Sequence, residues 1–108
     1  MKRGAIWTAA AGGGYAGKPR PVLIIQDDRF DATDSVTVVP LTSDTTEASF
    51  RVAVEPDTAN GLQASSRLMV DKVTTIRKAR LGYRLGTLSH DDIRRVDRAM
   101  VVFLGLAG

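Results

Sequence analysis

The chain has no cysteine and a single histidine, and these two shortages limit the chemistry it can perform. Without cysteine it cannot have a disulfide scaffold, a thiolate nucleophile, or a zinc or iron–sulfur site held by thiolates. One imidazole, His90, excludes catalysis by a pair of histidines in one chain, and its place at an expected helix start predicts a surface position. An enzyme of this composition has to use carboxylates, hydroxyls, lysine, arginine and tyrosine. We expect no metal and no cofactor.

Long hydrophobic runs are also missing, since no stretch approaches the roughly 18 apolar residues of a membrane span. The N-terminal segment carries two positive charges, but its apolar run is short and interrupted by glycine, unlike a signal peptide. We therefore expect a cytoplasmic protein without a membrane segment. The 108 residues contain no repeat and no linker-like run, which predicts one domain over 1–108.

The net charge of +3 is unevenly distributed along the chain. Residues 1–54 hold six basic and six acidic side chains, whereas residues 55–108 hold nine and six. Within the second half, thirteen positions contain five basic residues and no acid: Lys72, Arg77, Lys78, Arg80 and Arg84. Such a stretch is typical of a surface for phosphates or an acidic partner. A solvated face that keeps the protein soluble is an equally good explanation.

The hydrophobic pattern predicts a mainly β domain that ends in one helix. Strands are expected over 3–9, 21–26, 36–42, 49–55 and 66–76, with a short piece over 83–88. A glycine-rich segment, 11–17, predicts a mobile loop, and 56–61 predicts a turn. Ser89 has the character of an N-cap, and apolar residues then recur at helical spacing until Gly105. We expect a small twisted sheet or barrel with the helix packed on it.

The pattern also assigns some side chains to faces. Residues 21–26 form a continuous apolar run typical of a strand buried on both faces, whereas alternation places Ile6 and Trp7 on opposite faces. Phe50 is expected to share one face with Val52 and Val54. Pro40, near the end of its strand, indicates an edge or a bulge. On the helix, the apolar stripe consists of Ile93, Val96, Met100, Phe103 and Leu104.

Arg20 is the first candidate for a functional side chain. It lies between Pro19 and Pro21, which hold its backbone extended, and it directly follows the glycine-rich segment. A guanidinium is planar, permanently charged and able to donate two parallel hydrogen bonds, which suits a phosphodiester. The alternative is an ordinary exposed arginine at the start of a strand.

Four polar residues, two at a strand end and two within a strand, are further candidates. Thr42 and Ser43 close the third strand, where hydroxyls are good donors to phosphate oxygens but are also common in turns. Asp71 and Lys72 interrupt an otherwise apolar strand, so they are either exposed by alternation or kept for a function.

Tyr15 lies in the glycine-rich segment and is a candidate for stacking on a nucleobase. Trp7 alternates within a strand and is better explained as a core residue. The segment is not a P-loop, because it lacks the Gly-Lys-Ser/Thr ending that binds phosphate and magnesium.

Five segments, in the same order and spacing, resemble the MazF/PemK (also called Kid) family of toxin endoribonucleases. Residues 3–7 read R-G-A-I-W and resemble R-G-E-V-W, and residues 18–25 contain R-P-V-L-I-I, similar to R-P-V-L-V-L. Residues 38–43 read V-V-P-L-T-S, as in the family. Residues 74–82 read T-T-I-R-K-A-R-L-G and resemble R-T-I-D-K-x-R-L-G, and residues 85–89 match L-G-x-L-S.

The resemblance implies a small SH3-like barrel of the CcdB/MazF type with a C-terminal helix, and a symmetric homodimer. It implies the toxin of a type II toxin–antitoxin system, which cleaves single-stranded mRNA at short sequences without a metal. In that reaction the 2′-hydroxyl attacks the adjacent phosphorus and leaves a 2′,3′-cyclic phosphate. A cognate antitoxin with a flexible acidic tail is the expected protein partner, and its tail covers the RNA groove.

The resemblance also implies the roles of individual residues. The arginine of R-P-V-L corresponds to Arg20, the threonine of P-L-T-S to Thr42, and an aspartate used by some members to Asp71. On this basis Arg20 stabilises the phosphorane, Thr42 donates to a phosphate oxygen, and Asp71 is the candidate base. Residues expected to contact RNA in a basic groove are Tyr15, Lys18, Ser43 and Lys72.

The sequence departs from the family pattern at several positions. Met69 replaces an arginine that some members place two residues before the aspartate, and Thr74 and Arg77 replace the arginine and aspartate of the T-I block. An alternative of a different class is a non-enzymatic poison resembling CcdB, which shares the fold but binds DNA gyrase and does not need Arg20 or the P-L-T-S segment. A third possibility is a binding module of the same fold that has lost its activity.

Overall fold

The described part of the chain contains seven antiparallel strands and a C-terminal helix. The computed structural model describes residues 1–10 and 18–108. The strands are β1 (Ala5–Ala9), β2 (Arg20–Ile24), β3 (Ser35–Thr42), β4 (Arg51–Val54), β5 (Ser66–Met69), β6 (Thr74–Arg77) and β7 (Leu81–Thr87), and the helix is α1 (His90–Phe103). Their order across the sheet is β4-β5-β3-β2-β1-β7, and β6 also pairs with β3. The predicted fold class, mainly β with a C-terminal helix, is confirmed.

The apolar run of β2 is buried on both faces of the sheet, as predicted. Leu23 belongs to the larger core cluster, which α1 covers, whereas Val22 and Ile24 belong to a second cluster. Ile6 and Trp7 of β1 divide between the same two clusters, so they lie on opposite faces. Burial on both faces explains why the pattern in β2 is continuous instead of alternating.

β3 is a central strand, so the expectation that Pro40 marks a sheet edge is wrong. On one side, residues 38–40 of β3 pair with β2. On the other side, the first half of β3 pairs with β6 as far as Val38, and its end pairs with β5 from Leu41. Pro40 lies where β3 changes partner, and a residue without an N–H group is tolerated there because the ladder is already interrupted.

The single strand predicted over 66–76 is divided into β5 and β6 by a 3₁₀ turn, Val70–Lys72. The turn inserts Val70, which is fully buried in the core, and it allows β5 and β6 to pair with different parts of β3. Asp71 and Lys72 therefore lie on a turn and not within a strand.

α1 begins as predicted, since the Ser89 hydroxyl accepts a hydrogen bond from the Asp92 N–H at 3.2 Å. Val96 is completely buried, and Ile93 and Met100 pack against the same core. The prediction fails at the other end, where Phe103 and Leu104 are 44% and 50% exposed. There the Phe103 ring contacts the half-exposed Phe50 ring, with 5.8 Å between the two ring centroids.

The start of α1 lies at the surface. His90, at the start of α1, is exposed as predicted. Within the described ranges, no helix is both long and apolar enough to cross a membrane.

Candidate active site

Arg20 is the first residue of β2, and Thr42 is the last residue of β3. The two strands are antiparallel neighbours, with Val22 opposite Pro40. The paired register ends there, and Arg20 and Thr42 each lie two residues beyond it, at the same end of the two strands. Two residues far apart in the sequence are thus brought to one end of the strand pair.

A cavity of about 430 Å³ opens at this end of the sheet. Four of the predicted site residues line it: Lys18, Arg20, Thr42 and Ser43. The rest of its wall includes the segment 61–64, together with Thr8, Tyr83 and Leu85. We refer to it as the Arg20–Thr42 cavity. Its volume falls within the roughly 300–1,000 Å³ typical of sites for small ligands.

The Arg20 side chain is exposed, and within 1–10 and 18–108 it forms no hydrogen bond or ion pair. Its guanidinium donors are therefore directed to solvent at the cavity. Lys18 is exposed beside it and adds a second positive charge. Such a pair of cations suits a ligand that carries negative charge, since N–H donors to phosphate oxygens form strong charge-assisted hydrogen bonds.

The hydroxyl of Thr42 is oriented by the turn that follows β3. Its oxygen accepts a hydrogen bond from the Asp44 N–H at 3.1 Å, which leaves the hydroxyl proton free to be donated. The turn itself is held by Asp44, whose carboxylate accepts bonds from the Thr46 hydroxyl and N–H at 2.6 and 3.0 Å. These hydrogen bonds from Thr46 lower the pKa of Asp44 below its usual value, so the turn is stabilised by the ionised carboxylate.

Asp71 and Lys72 do not line the Arg20–Thr42 cavity. The Asp71 carboxylate forms a bidentate ion pair with Arg51, with oxygen–nitrogen distances of 3.2 and 3.3 Å. Both side chains are largely buried, with 19% and 17% exposure. Lys72 is exposed on the same turn. The structure thus brings Arg20 and Thr42 together and leaves Asp71 in a separate contact.

The basic stretch of the second half does not surround the cavity either. None of its five basic residues is among the lining residues of the Arg20–Thr42 cavity. Lys78 instead lies 2.8 Å from the Asp31 carboxylate, and Arg84 hydrogen-bonds to Thr87. Lys72, Lys78 and Arg80 lie on 3₁₀ turns, whereas Arg77 and Arg84 belong to β6 and β7. Tyr15 lies outside the described residues.

Over residues 2–104 the chain matches the family described as PemK-like, MazF-like toxins of type II toxin–antitoxin systems. The chain belongs to this family. It is 60% identical over 109 residues to the probable endoribonuclease MazF of Mycolicibacterium smegmatis, with complete coverage of both chains. It is 30% identical to the endoribonuclease MazF9 of Mycobacterium tuberculosis, with 98% of each chain covered.

A solved structure of an endoribonuclease in complex with its cognate antitoxin, from mycobacterial species, superimposes with a TM-score of 0.83. The identity is 26%, and the alignment covers 98% of this chain and 96% of that one. The MazF-type fold is thereby confirmed, as are the predicted family and its class of activity, an endoribonuclease. The alternative of a CcdB-like gyrase poison is not favoured.

One departure of this MazF-family chain from the family pattern has a structural counterpart. Met69 stands where some members have an arginine, but Arg51 lies opposite Met69 in the β4–β5 pair and reaches Asp71. The aspartate, Asp71, is thus paired with an arginine of the neighbouring strand, Arg51. Sequence spacing within one strand could not reveal this pair, because the two residues are twenty positions apart.

Sequence reasoning also missed two residues of the cavity wall, Gln63 and Tyr83. Tyr83 falls within the basic stretch, and an aromatic among basic residues is a signal for nucleic-acid binding. Nothing in the local pattern, however, indicated that β7 would direct this ring into the cavity while the basic side chains point elsewhere. Among the described residues, no group of three potential metal ligands is present.

Proposed function

We propose that this MazF-family endoribonuclease cleaves single-stranded RNA in the Arg20–Thr42 cavity. The observation that supports the proposal is the presence of Arg20 and Thr42 in the wall of one cavity, where the Asp44 N–H orients the Thr42 hydroxyl. In the reaction, the 2′-hydroxyl oxygen forms a bond to the adjacent phosphorus and the bond to the 5′-oxygen breaks. The products are a 2′,3′-cyclic phosphate and a 5′-hydroxyl, so the reaction needs no water and no oxidant.

Arg20 stabilises the negative charge that accumulates on the phosphorane oxygens. A guanidinium hardly loses its proton, so this residue acts through charge and hydrogen bonds and not as a base. Thr42 donates its hydroxyl proton in a hydrogen bond to one of the same oxygens. Because the Asp44 N–H already occupies a lone pair of this hydroxyl, the donor direction requires little rearrangement when RNA binds.

Lys18 and Ser43 contact the phosphates that flank the cleaved bond. Both are exposed at the cavity, and phosphate contacts of this kind hold the strand in register without reading its sequence. Single-stranded RNA fits this arrangement because its bases can be unstacked and its backbone bent into a cavity.

Asp71 remains the candidate proton acceptor, with Lys72 beside it as a further phosphate contact. In the protomer its carboxylate is bound to Arg51, so a catalytic role has to be distinguished from a structural one. Loss of a base changes the pH dependence of cleavage. Loss of the ion pair alone lowers the stability of the turn and leaves that pH dependence unchanged.

The protein partners in this proposal are a second copy of the chain and a cognate antitoxin, in the cytoplasm. Exposed apolar side chains cluster at the end of α1, namely Val101, Val102, Phe103, Leu104 and Leu106. Contiguous apolar surface is typical of a subunit interface, and a symmetric dimer would cover the same face on both copies. The antitoxin, through an acidic tail, would cover the cations of the Arg20–Thr42 cavity.

The proposal is tested by incubating the purified protein with a long RNA in EDTA. We expect discrete fragments that end in cyclic phosphate. Arg20→Ala should lower the cleavage rate about 10²–10³-fold, the cost of removing one preorganised donor. Thr42→Val should slow cleavage while Thr42→Ser retains most of it. Arg29→Ala is the matched control, because Arg29 is exposed on a 3₁₀ turn outside the cavity.

Two results would contradict the proposal. The first is an Arg20→Ala protein that cleaves as fast as the Arg29→Ala control. The second is intact RNA together with inhibition of DNA gyrase, which would revive the alternative of a CcdB-like poison. Asp71→Asn is measured in parallel, and an unchanged pH–rate profile would remove Asp71 from the mechanism.

A further inference from the structure

We infer that part of the wall of the Arg20–Thr42 cavity is a nucleobase site, in which Tyr83 stacks on a base and Gln63 hydrogen-bonds to the edge of that base. The inference rests on the proposed function, because the base belongs to the RNA whose phosphate lies between Arg20 and Thr42. In this inference, residues of one protomer determine part of the preference for particular RNA sequences.

Tyr83 is a large aromatic side chain with 64% exposure, and it lines the same cavity as the two cations. Its backbone is fixed, since the Tyr83 N–H donates to the Thr8 hydroxyl at 3.0 Å. The preceding Gly82 packs so closely on Thr8 that a Cβ atom there would lie 2.4 Å from the Thr8 hydroxyl. The ring is therefore presented to solvent from a rigid strand, as stacking on an unpaired base requires.

The segment that carries Gln63 is rigid as well, because buried Asn60 organises the turn before it. Its side-chain oxygen accepts hydrogen bonds from the N–H groups of Asp57 and Leu62, at 3.1 and 3.0 Å, and its amide donates to the Glu55 carbonyl at 2.9 Å. The Thr87 N–H also donates to the Ala59 carbonyl at 2.8 Å, which joins this turn to β7. The wall around Gln63 and the strand of Tyr83 thus form one unit.

Gln63 supplies the hydrogen-bonding groups that a stacking ring lacks. It is exposed at the cavity, and its amide offers both a donor and an acceptor. An unstacked RNA base is typically recognised by an aromatic ring on its face and by hydrogen bonds on its edge. Tyr83 and Gln63 provide this combination next to the phosphate-binding cations.

Cleavage of short single-stranded RNAs tests the stacking role. Tyr83→Ala should raise KM about 5–150-fold with kcat nearly unchanged, the fold-change that corresponds to the usual value of one base–aromatic stack. Tyr83→Phe should keep the wild-type KM, because the ring is retained. Phe30→Ala is the matched control, since Phe30 is 63% exposed and does not line the cavity. An RNA with a 2′-deoxynucleotide at the cleaved position lacks the attacking hydroxyl and measures binding without cleavage. Wild type and Tyr83→Phe should bind this RNA with similar affinity, and Tyr83→Ala should bind it more weakly.

Sequencing of the 5′-hydroxyl ends from a randomised RNA tests the role of Gln63. Gln63→Ala should broaden the base preference at one position next to the cut while the other positions keep theirs. The inference is overturned if wild-type protein cleaves, Arg20→Ala does not, and Tyr83→Ala and Gln63→Ala match the wild type in KM and base preference. It is equally overturned if Tyr83→Phe is as impaired as Tyr83→Ala. Failure of the proposed function is distinguishable, because there Arg20→Ala would cleave normally.

Discussion

Gly61 and Gly105 share a left-handed backbone but differ in their surroundings, and this contrast provides a test of the loop that forms the cavity wall. Their φ angles are +69° and +76°. A Cβ atom added at Gly61 would lie 2.1 Å from the carbonyl oxygen of Leu85, whereas nothing lies within 4 Å of one added at Gly105. Alanine at either site has to adopt a left-handed backbone, which costs free energy. At Gly61 the added methyl group would in addition collide with the backbone of β7 at Leu85.

The expected losses of stability follow from these two terms. A left-handed alanine costs about 1–2 kcal/mol, and reduced freedom of the unfolded chain returns about 0.4–1 kcal/mol. Gly105→Ala should therefore lower the free energy of unfolding by about 0–1.5 kcal/mol. Gly61→Ala adds the strain of inserting a methyl group against backbone, about 1–3 kcal/mol for overpacking. The difference between the two variants should be about 1–3 kcal/mol.

Urea denaturation measures this difference. The single tryptophan, Trp7, reports on the sheet, and far-UV circular dichroism reports on the whole fold. All proteins are compared at one protomer concentration, because association would shift the apparent stability. Equal losses for Gly61→Ala and Gly105→Ala would refute the close packing of the loop on β7. That result would also remove the rigid wall on which the nucleobase site depends.

Two further predictions concern the rest of the molecule. The hydrogen bond from Lys78, and then that from the N-terminal ammonium, lower the pKa of Asp31 below its ordinary 3.8. Its contribution to stability is therefore present above pH 3.8 and is lost as the pH falls through the lower pKa of the folded state. Acid titration followed by circular dichroism should show that the stability of Asp31→Asn falls less steeply with decreasing pH than that of the wild type. A fall as steep as that of the wild type would contradict this, and exposed Asp34→Asn is the control. Val102→Asp, at a side chain 71% exposed in the protomer, should dissociate the proposed dimer in sedimentation velocity without unfolding it. An intact dimer would exclude this face, and exposed Ala79→Asp is the control.

The elements with a strong local pattern could be predicted from the sequence. Alternation in β4, the continuous apolar run of β2 and the cap at Ser89 each depend on residues close together in the chain, and all three were located within a few positions. The failures depend on distant residues. Pro40 is central because two different strands succeed one another beside β3, and the exposure of Phe103 depends on which distant residues pack beneath the end of α1.

The candidate site divides in the same way. Arg20 and Thr42 could be named from their motifs, and both line one cavity. The surroundings of Asp71 could not be foreseen, because Arg51 reaches it from another strand. Nor could the place of Tyr83 be foreseen, since the bulged β1–β7 pair decides which of its neighbours face the cavity.

By itself, the amino-acid sequence determined the kinds of chemistry open to this protein, its mainly β character with a final helix, and the motifs of its family. Composition and short-range periodicity carry that information, because they act through single residues and local backbone preferences. The tertiary structure alone decided that Arg20 and Thr42 line one cavity, that Arg51 binds Asp71, and that Gln63 and Tyr83 share that cavity. These are pairs between distant strands, and their register is set by the packing of the whole sheet around its core.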